Sequence, residues 1–230
     1  ILLYNLIRMK KYIFLPCLLL FCMLTNGFSQ NVYSLQDPVS TRSFNPEKYS
    51  GIRGTPFLVD KWYKGTVTTP KGVYQNLELK FDVYENTLFF NKDDESFELL
   101  DEIISFTLMP KPGDEAGYLV FRKGISGAGL SGREYVQVLL EGQVGLYKLP
   151  LKQVSEMSEI NAGIVKTLTN NSKYYISKDK QLRFIKLSKA EVLNALSDKQ
   201  DKIQSYIDEK KLSFRKEADL VDVLKYYNSL

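Results

Sequence analysis

Gly127, Gly129 and Gly132, in GISGAGLSGREYVQVLL (124–140), spell G-x-G-x-x-G. At that spacing, bare backbone amides and a helix N-terminus can hold a pyrophosphate. Such a cradle must follow a strand and open a helix. Here the sequel, Arg133 to Leu140, is rich in β-branched and aromatic residues and predicts a strand. The segment therefore reads as a flexible hairpin turn, in which glycine supplies positive φ at little steric cost. Ser126 and Ser131 beside Lys123 suggest a Ser–Lys dyad, but the intervening glycines leave its geometry loose. The run NKDDESFE (91–98) crowds Asp93, Asp94 and Glu95. A calcium loop needs alternating oxygen ligands and a glycine at its sharp bend. The glycine is missing, and the run has the length of a solvated hairpin turn. Asp82, Asp101 and Glu102 are nominal acids for glycoside hydrolysis, which requires two carboxyls about 5–10 Å apart across a cleft. Each stands where the wet face of a strand, or a turn, would place it.

The sequence contains no histidine. Ser-His-Asp triads, Cys-His dyads and His-bearing zinc or haem sites are thereby excluded. Carboxylate chemistry, Ser/Lys or Tyr nucleophiles and oxygen-ligand calcium sites remain. The aromatic residues are more suggestive: 15 Tyr, 13 Phe and one Trp. Trp62, Tyr63, Tyr74 and Tyr84 fall on neighbouring predicted strands and form the candidate ligand-binding set. Tyr74 and Tyr84 share parity with the polar positions of their strand. Exposed aromatics on a sheet can stack on sugars or hold a partner. The competing reading is that they sit under a second packed layer. No catalytic residue, metal ligand or cofactor is assigned.

Positioning these side chains falls to a run of short strands. In NLELKFDV (76–83), Leu77, Leu79, Phe81 and Val83 alternate with Glu78, Lys80 and Asp82, the pattern of a half-buried antiparallel strand. Turn signals at Pro70-Lys71-Gly72, Glu85-Asn86, Lys92-Asp93-Asp94, Glu141-Gly142 and Lys178-Asp179-Lys180 separate further strand-like runs. Residues 150–172 fit neither period cleanly and read as a long excursion with room for a helical turn. After Leu187 the period becomes helical. Ser188 with Glu191, and Ser197 with Gln200, resemble capping boxes. Leu220, Val223, Leu224 and Tyr227 make one apolar stripe.

The start of the chain has a different logic. Lys10 and Lys11 precede an apolar run from Tyr12 to Leu24, and Gly27-Phe28-Ser29 offers small residues at a cleavage site before Gln30. This is the layout of a secretory signal peptide, shorter than the roughly 20 apolar residues of a membrane span. Residues 1–8 read as upstream sequence. Removing the leader takes Arg8, Lys10 and Lys11, so the formal charge falls from +4 to 28 bases against 27 acids. The electrostatic argument for nucleic acid goes with it. Cys17 and Cys22 also lie in the leader, preceded by Pro16 and Phe21, where a lipidation site needs a small residue. The mature chain thus has no disulfide and depends on burial for stability.

The stretches GTVTTPKGVYQNLELKFDVYENTLFF, EYVQVLLEGQVGLYKL and YIDEKKLSFRKEADLVDVLKYYNSL, with the leader ending FSQN, resemble a group of uncharacterised exported proteins of Bacteroidota. The resemblance covers most of residues 51–230. It implies export and a strand-then-helix order, and carries no catalytic residues over.

The expected fold class is α+β, an antiparallel β-meander (a curved sheet or open barrel) followed by a C-terminal group of short helices. The expected organisation is upstream residues and leader (1–29), an extended arm (30–56) with Tyr33, Phe44 and Tyr49 able to dock, a β domain (57–187) and helices packed on the sheet (188–230). The expected protein is a periplasmic or secreted, non-catalytic binding or structural module. Its expected partner is an envelope component, a glycan or an apolar ligand, with no nucleic acid and no membrane span after cleavage. The alternatives are a carboxylate-dependent glycan hydrolase and a carrier of an apolar ligand.

Overall fold

The computed structural model describes residues 32–33, 41–110, 117–160 and 163–230. Residues 1–29, where a leader is expected, and residues 30–31 and 34–40 of the expected arm lie outside the described residues. Among the described residues, fifteen strands come first: β1 (Val32–Tyr33), β2 (Thr41–Ser43), β3 (Ile52–Arg53), β4 (Tyr63–Thr69), β5 (Gly72–Asp82), β6 (Thr87–Lys92), β7 (Glu95–Leu99) and β8 (Ser105–Met109). Then follow β9 (Leu119–Arg122), β10 (Ser126–Gly127), β11 (Leu130–Ser131), β12 (Val136–Leu140), β13 (Val144–Glu159), β14 (Gly163–Lys178) and β15 (Gln181–Ile185). Three helices close the chain: α1 (Lys189–Ala195), α2 (Gln200–Lys210) and α3 (Glu217–Ser229).

The fold is α+β: an open, curved and largely antiparallel sheet followed by short helices. Its order is β15-β14-β13-β12-β9-β8-β4-β5-β6-β7-β2, with β1 pairing in parallel on β5 and β3 on β14. Local chemistry explains the turns. Asp93 and Asp94 both adopt positive φ between β6 and β7, as do Asp179 and Lys180 between β14 and β15. This is the backbone that two-residue hairpins require.

Register pairs Tyr74 with Val67, Val67 with Phe106, Phe106 with Phe121, Phe121 with Gln137, Gln137 with Lys148 and Lys148 with Tyr174. One face of the sheet can be followed through these pairs. Over β4–β9 it carries Val67, Leu79, Phe81, Phe90, Phe106, Leu108 and Phe121, all buried. Over β12–β15 the same face meets the helices, whose Val192, Ile203, Ile207, Leu220, Val223, Leu224 and Tyr227 pack on Val144, Leu146, Ile176 and Ile185. The apolar stripe of α3 is thus buried as its spacing predicts. Ser188 caps α1 by accepting from the Glu191 amide at 3.3 Å. Ser197 does not cap α2: it begins a short 3-10 turn, and α2 starts after Lys199 without a side-chain cap.

The opposite, outer face is covered in two places. Over β12–β15, Leu130 from the glycine segment packs with Val136, Leu149 and Tyr175. Over β5–β6, Phe44 and Phe57 flank Phe89, with Phe44 edge-on to Phe89 at 5.1 Å. The arm is therefore docked where described. It pairs β2 with β7 at one end of the sheet and β3 with β14 near the other. The nine Cα–Cα steps from Ser43 to Ile52 span at most about 30 Å, which bounds the gap between those two edges.

Residues 150–172 correct the sequence reading. Among the described residues they are strand except for the turn residue Ile160, with β13 and β14 paired without interruption from Val144↔Lys178 to Glu159↔Gly163. The alternation that marks strands is weak here because the hairpin extends past β12 and its end exposes both faces: Met157 and Ile164 are each 70% exposed, whereas Leu168 nearer the base is buried. Among the described residues, no helix is long and apolar enough to cross a membrane.

Candidate functional site

The four aromatics do not form one surface. Tyr63, at the head of β4, is 7% exposed and belongs to the core. Tyr74 is half-buried and on the inner face, contrary to its parity in the sequence. Gly65 pairs with Leu77 and Val67 with Tyr74, so β5 holds one extra residue, a β-bulge at Asn76 with φ +59°. The bulge moves every residue before it to the other face. Tyr84 is exposed and lies edge-on to Tyr49 at 6.3 Å. Trp62 is half-buried beside Lys80, whose Nζ stands 5.6 Å from the indole and 4.0 Å from the Phe57 ring and pairs with Asp60. Trp62 and Tyr84 are thus already engaged by the chain's own residues.

Asp82 also departs from the wet-face reading: it is fully buried. Its carboxylate accepts from the Tyr49 hydroxyl and, at 2.9 Å, from the Glu85 amide. Burial raises its pKa above the ordinary carboxylate range, against the lowering effect of those two donors. Lys152 on β13 shows the converse. Desolvation lowers its pKa, although Asp60 and Asp82 lie near enough to oppose the shift. The Tyr49 hydroxyl is raised by burial and then by its bond to Asp82. The group ties the arm to the sheet rather than facing a cleft. Asp101 pairs with Lys71 at 3.6 Å, and Glu102 is exposed.

The glycine segment forms a small hairpin, with β10 paired to β11 and positive φ at Gly127, Ala128, Gly129 and Gly132. Part of its donor set is taken. The Ser131 and Gly132 amides donate to the Glu134 carboxylate at 3.0 and 3.1 Å, and the Ser131 hydroxyl does so at 2.9 Å. Burial opposes ionisation of Glu134, but these donations and its own amide outweigh it and hold the carboxyl below its usual range. A phosphate would have to displace an internal anion. The placement of the Lys123 ammonium over the Tyr135 ring, at 4.2 Å, counts against a Ser–Lys dyad, although burial lowers its pKa in the direction a general base needs. Asp93, Asp94 and Glu95 occupy the β6–β7 turn. Among the described residues, no group of three or more acidic side chains could hold a metal ion.

The outer face of β13–β14 offers a more open feature. Gly145 on β13 lies opposite Ser177 on β14, leaving two minimal side chains side by side. Tyr147, two residues along β13, lies across the glycine: a methyl group at Gly145 would meet the Tyr147 ring and hydroxyl at 3.3 Å. Around this floor, Glu141, Gly142, Gln143, Asp179 and Lys180 from the β12–β13 and β14–β15 turns enclose a hollow of about 390 Å³. Glu141 is held by Arg122 at 2.8 Å. A half-buried aromatic floor within a polar rim orients a small ligand while leaving little apolar surface exposed without one. Sequence reasoning missed it because Gly145 and Ser177 are 32 residues apart and become neighbours only through the hairpin register. The one local signal is the small-x-aromatic spacing of Gly145 and Tyr147.

Compared with known proteins, the chain matches no family model, no curated relative and no solved structure.

Proposed function

We propose that the chain is an exported, non-catalytic binding module of the periplasm or cell exterior, and that it engages its ligand at the hollow floored by Tyr147. The observation carrying this reading is the ring laid over Gly145 beneath a rim of Glu141, Gln143, Ser177, Asp179 and Lys180. The leader pattern supports export, as does the resemblance to exported proteins of Bacteroidota.

The hydrolase reading has less behind it. Glu141 and Asp179 both line the hollow, but Glu141 is engaged by Arg122 at an exposed position. A general acid for glycoside hydrolysis is a desolvated carboxyl free to give up its proton. The buried carboxylate, Asp82, does not line the hollow and is bonded to Tyr49 and the Glu85 amide. A carrier reading needs room for an acyl chain. Among the described residues, a cavity beneath the sheet lined by Val67, Thr69, Tyr74, Leu77, Leu99, Asp101 and Ile103 holds about 10 Å³, space for about one water.

Native mass spectrometry tests the reading. Mature protein exposed to an envelope extract should retain an added mass that Ser177→Trp, which fills the hollow, does not retain. Equal retention by both proteins would place the contact elsewhere.

A further inference from the structure

We infer that the hollow over Tyr147 recognises a neutral saccharide, an inference that rests on the binding-module reading and names the ligand class of the same site.

Three observations converge. The first is the floor. Tyr147 is half-buried, packs with Leu130, Val136, Leu149 and Tyr175, lies over the Gly145 backbone and lines the hollow, so the part of its ring that borders the hollow is rigidly held. A pyranose has an apolar C–H face that stacks on such a ring, and a rigid aromatic gives contact area at little entropic cost.

The second is the rim. Glu141, Gln143, Ser177, Asp179 and Lys180 supply carboxylates, an amide, a hydroxyl and an ammonium. Together they offer both donors and acceptors, matching hydroxyl groups, each of which donates and accepts. Their charges cancel locally: Arg122 is bonded to Glu141, and Lys180 follows Asp179 in the same turn. A phosphate or a polyamine would find no net field to select it. An acyl chain would strip water from five polar side chains without replacing their hydrogen bonds.

The third is what the hollow withholds. β12 flanks β13 through Leu140↔Leu146, and β15 flanks β14 through Ser177↔Leu182 and Lys178↔Gln181. These neighbours leave little strand edge beside the hollow for a peptide to extend the sheet. The volume, about 390 Å³, lies at the lower end of the roughly 300–1,000 Å³ common for small-ligand sites.

The test is tyrosine-ring NMR on the mature protein, titrated separately to millimolar concentration with cellohexaose, xylohexaose, laminarihexaose and chitohexaose. The expected result is a saturable shift of the Tyr147 ring resonances with at least one hexaose, while Tyr84 is unmoved. Ser177→Trp should abolish the shift, and Tyr147→Ala should weaken binding at least tenfold. Tyr147→Phe, which keeps the ring on Gly145, should retain binding within a few-fold and guards against a folding defect in the alanine variant. No shift at Tyr147 with any hexaose, or a shift that survives Ser177→Trp, overturns the inference. If the mass retained from envelope extract disappears in Ser177→Trp but is not a saccharide, the ligand class fails while the binding module stands.

Discussion

Tyr49, in a 3-10 turn of the arm, donates its hydroxyl hydrogen bond to Asp82, a fully buried carboxylate at the end of β5. Asp82 in turn accepts from the Glu85 amide and so fixes the β5–β6 turn. One side chain joins the arm to the sheet and shapes the turn beneath it.

Because burial raises its pKa, folded Asp82 binds a proton more readily than the unfolded chain does, whose carboxyl titrates near the ordinary aspartate value of 3.8. The native state therefore holds the extra proton between that value and the raised one. Stability contributed through Asp82 falls as pH rises across this window. Urea unfolding midpoints of Asp82→Asn should lack that component of the slope and exceed wild type by more at neutral than at acidic pH. Tyr49→Phe removes a donor that favours the ionised form, so it should push Asp82 further up and cost about 1–3 kcal/mol at neutral pH. A Tyr49→Phe protein with an unchanged midpoint would show that the arm is not held here.

A second long-range tie lies at the last helix. The Asn228 amide accepts from the Val144 N–H at 2.8 Å and donates to the Val144 carbonyl at 2.9 Å, acting as a strand partner for the start of β13. A methyl at Gly142 would stand 2.4 Å from that amide nitrogen. Asn228→Ala should cost about 2 kcal/mol by leaving both backbone groups unpaired. Gly142→Ala should cost about 1–3 kcal/mol by overpacking the same spot. Chemical denaturation measures both. Because the two changes act on one contact, their effects should be sub-additive in the double variant.

The aromatics proposed from sequence should separate by burial. Tyr63→Ala removes a core ring and should cost about 3–5 kcal/mol. Tyr84→Ala, at a 38% exposed position, should cost under about 1 kcal/mol. Thermal unfolding of the pair distinguishes them, and similar losses would contradict the packing described.

Export has its own check. Intact-mass analysis of protein recovered from outside the cytoplasm should show a chain beginning at Gln30, neither Cys17 nor Cys22 being present. A recovered chain that retains the apolar run from Tyr12 to Leu24 would refute the leader reading.

The sequence carried local order well. Leu79, Phe81 and Val83 are buried as their alternation requires, Asp93-Asp94 and Asp179-Lys180 make their turns, and the Leu220–Tyr227 stripe packs inward. What it concealed depends on register between distant segments. The bulge at Asn76 moves Tyr74 to the inner face, an inversion visible only once β5 is paired with β4. Asp82 occupies a polar position in an alternating strand, and it is met there by Tyr49 of the returning arm, 33 residues earlier in the chain, and by Phe57. Residues 150–172 lack alternation because the end of the hairpin around Met157 and Ile164 is exposed on both faces, so the absence of period two reflected exposure and not the absence of a strand. The Tyr147 hollow depends on Ser177 arriving opposite Gly145.

The most direct measurement of the central claim is amide hydrogen exchange on the mature protein, with and without the ligand recovered from envelope extract. Binding at the hollow predicts added protection concentrated in 141–147 and 177–180, lost in Ser177→Trp, with the ligand released uncleaved. Protection centred instead on the exposed hairpin end around Met157 and Ile164, or release of a cleaved ligand, would contradict it.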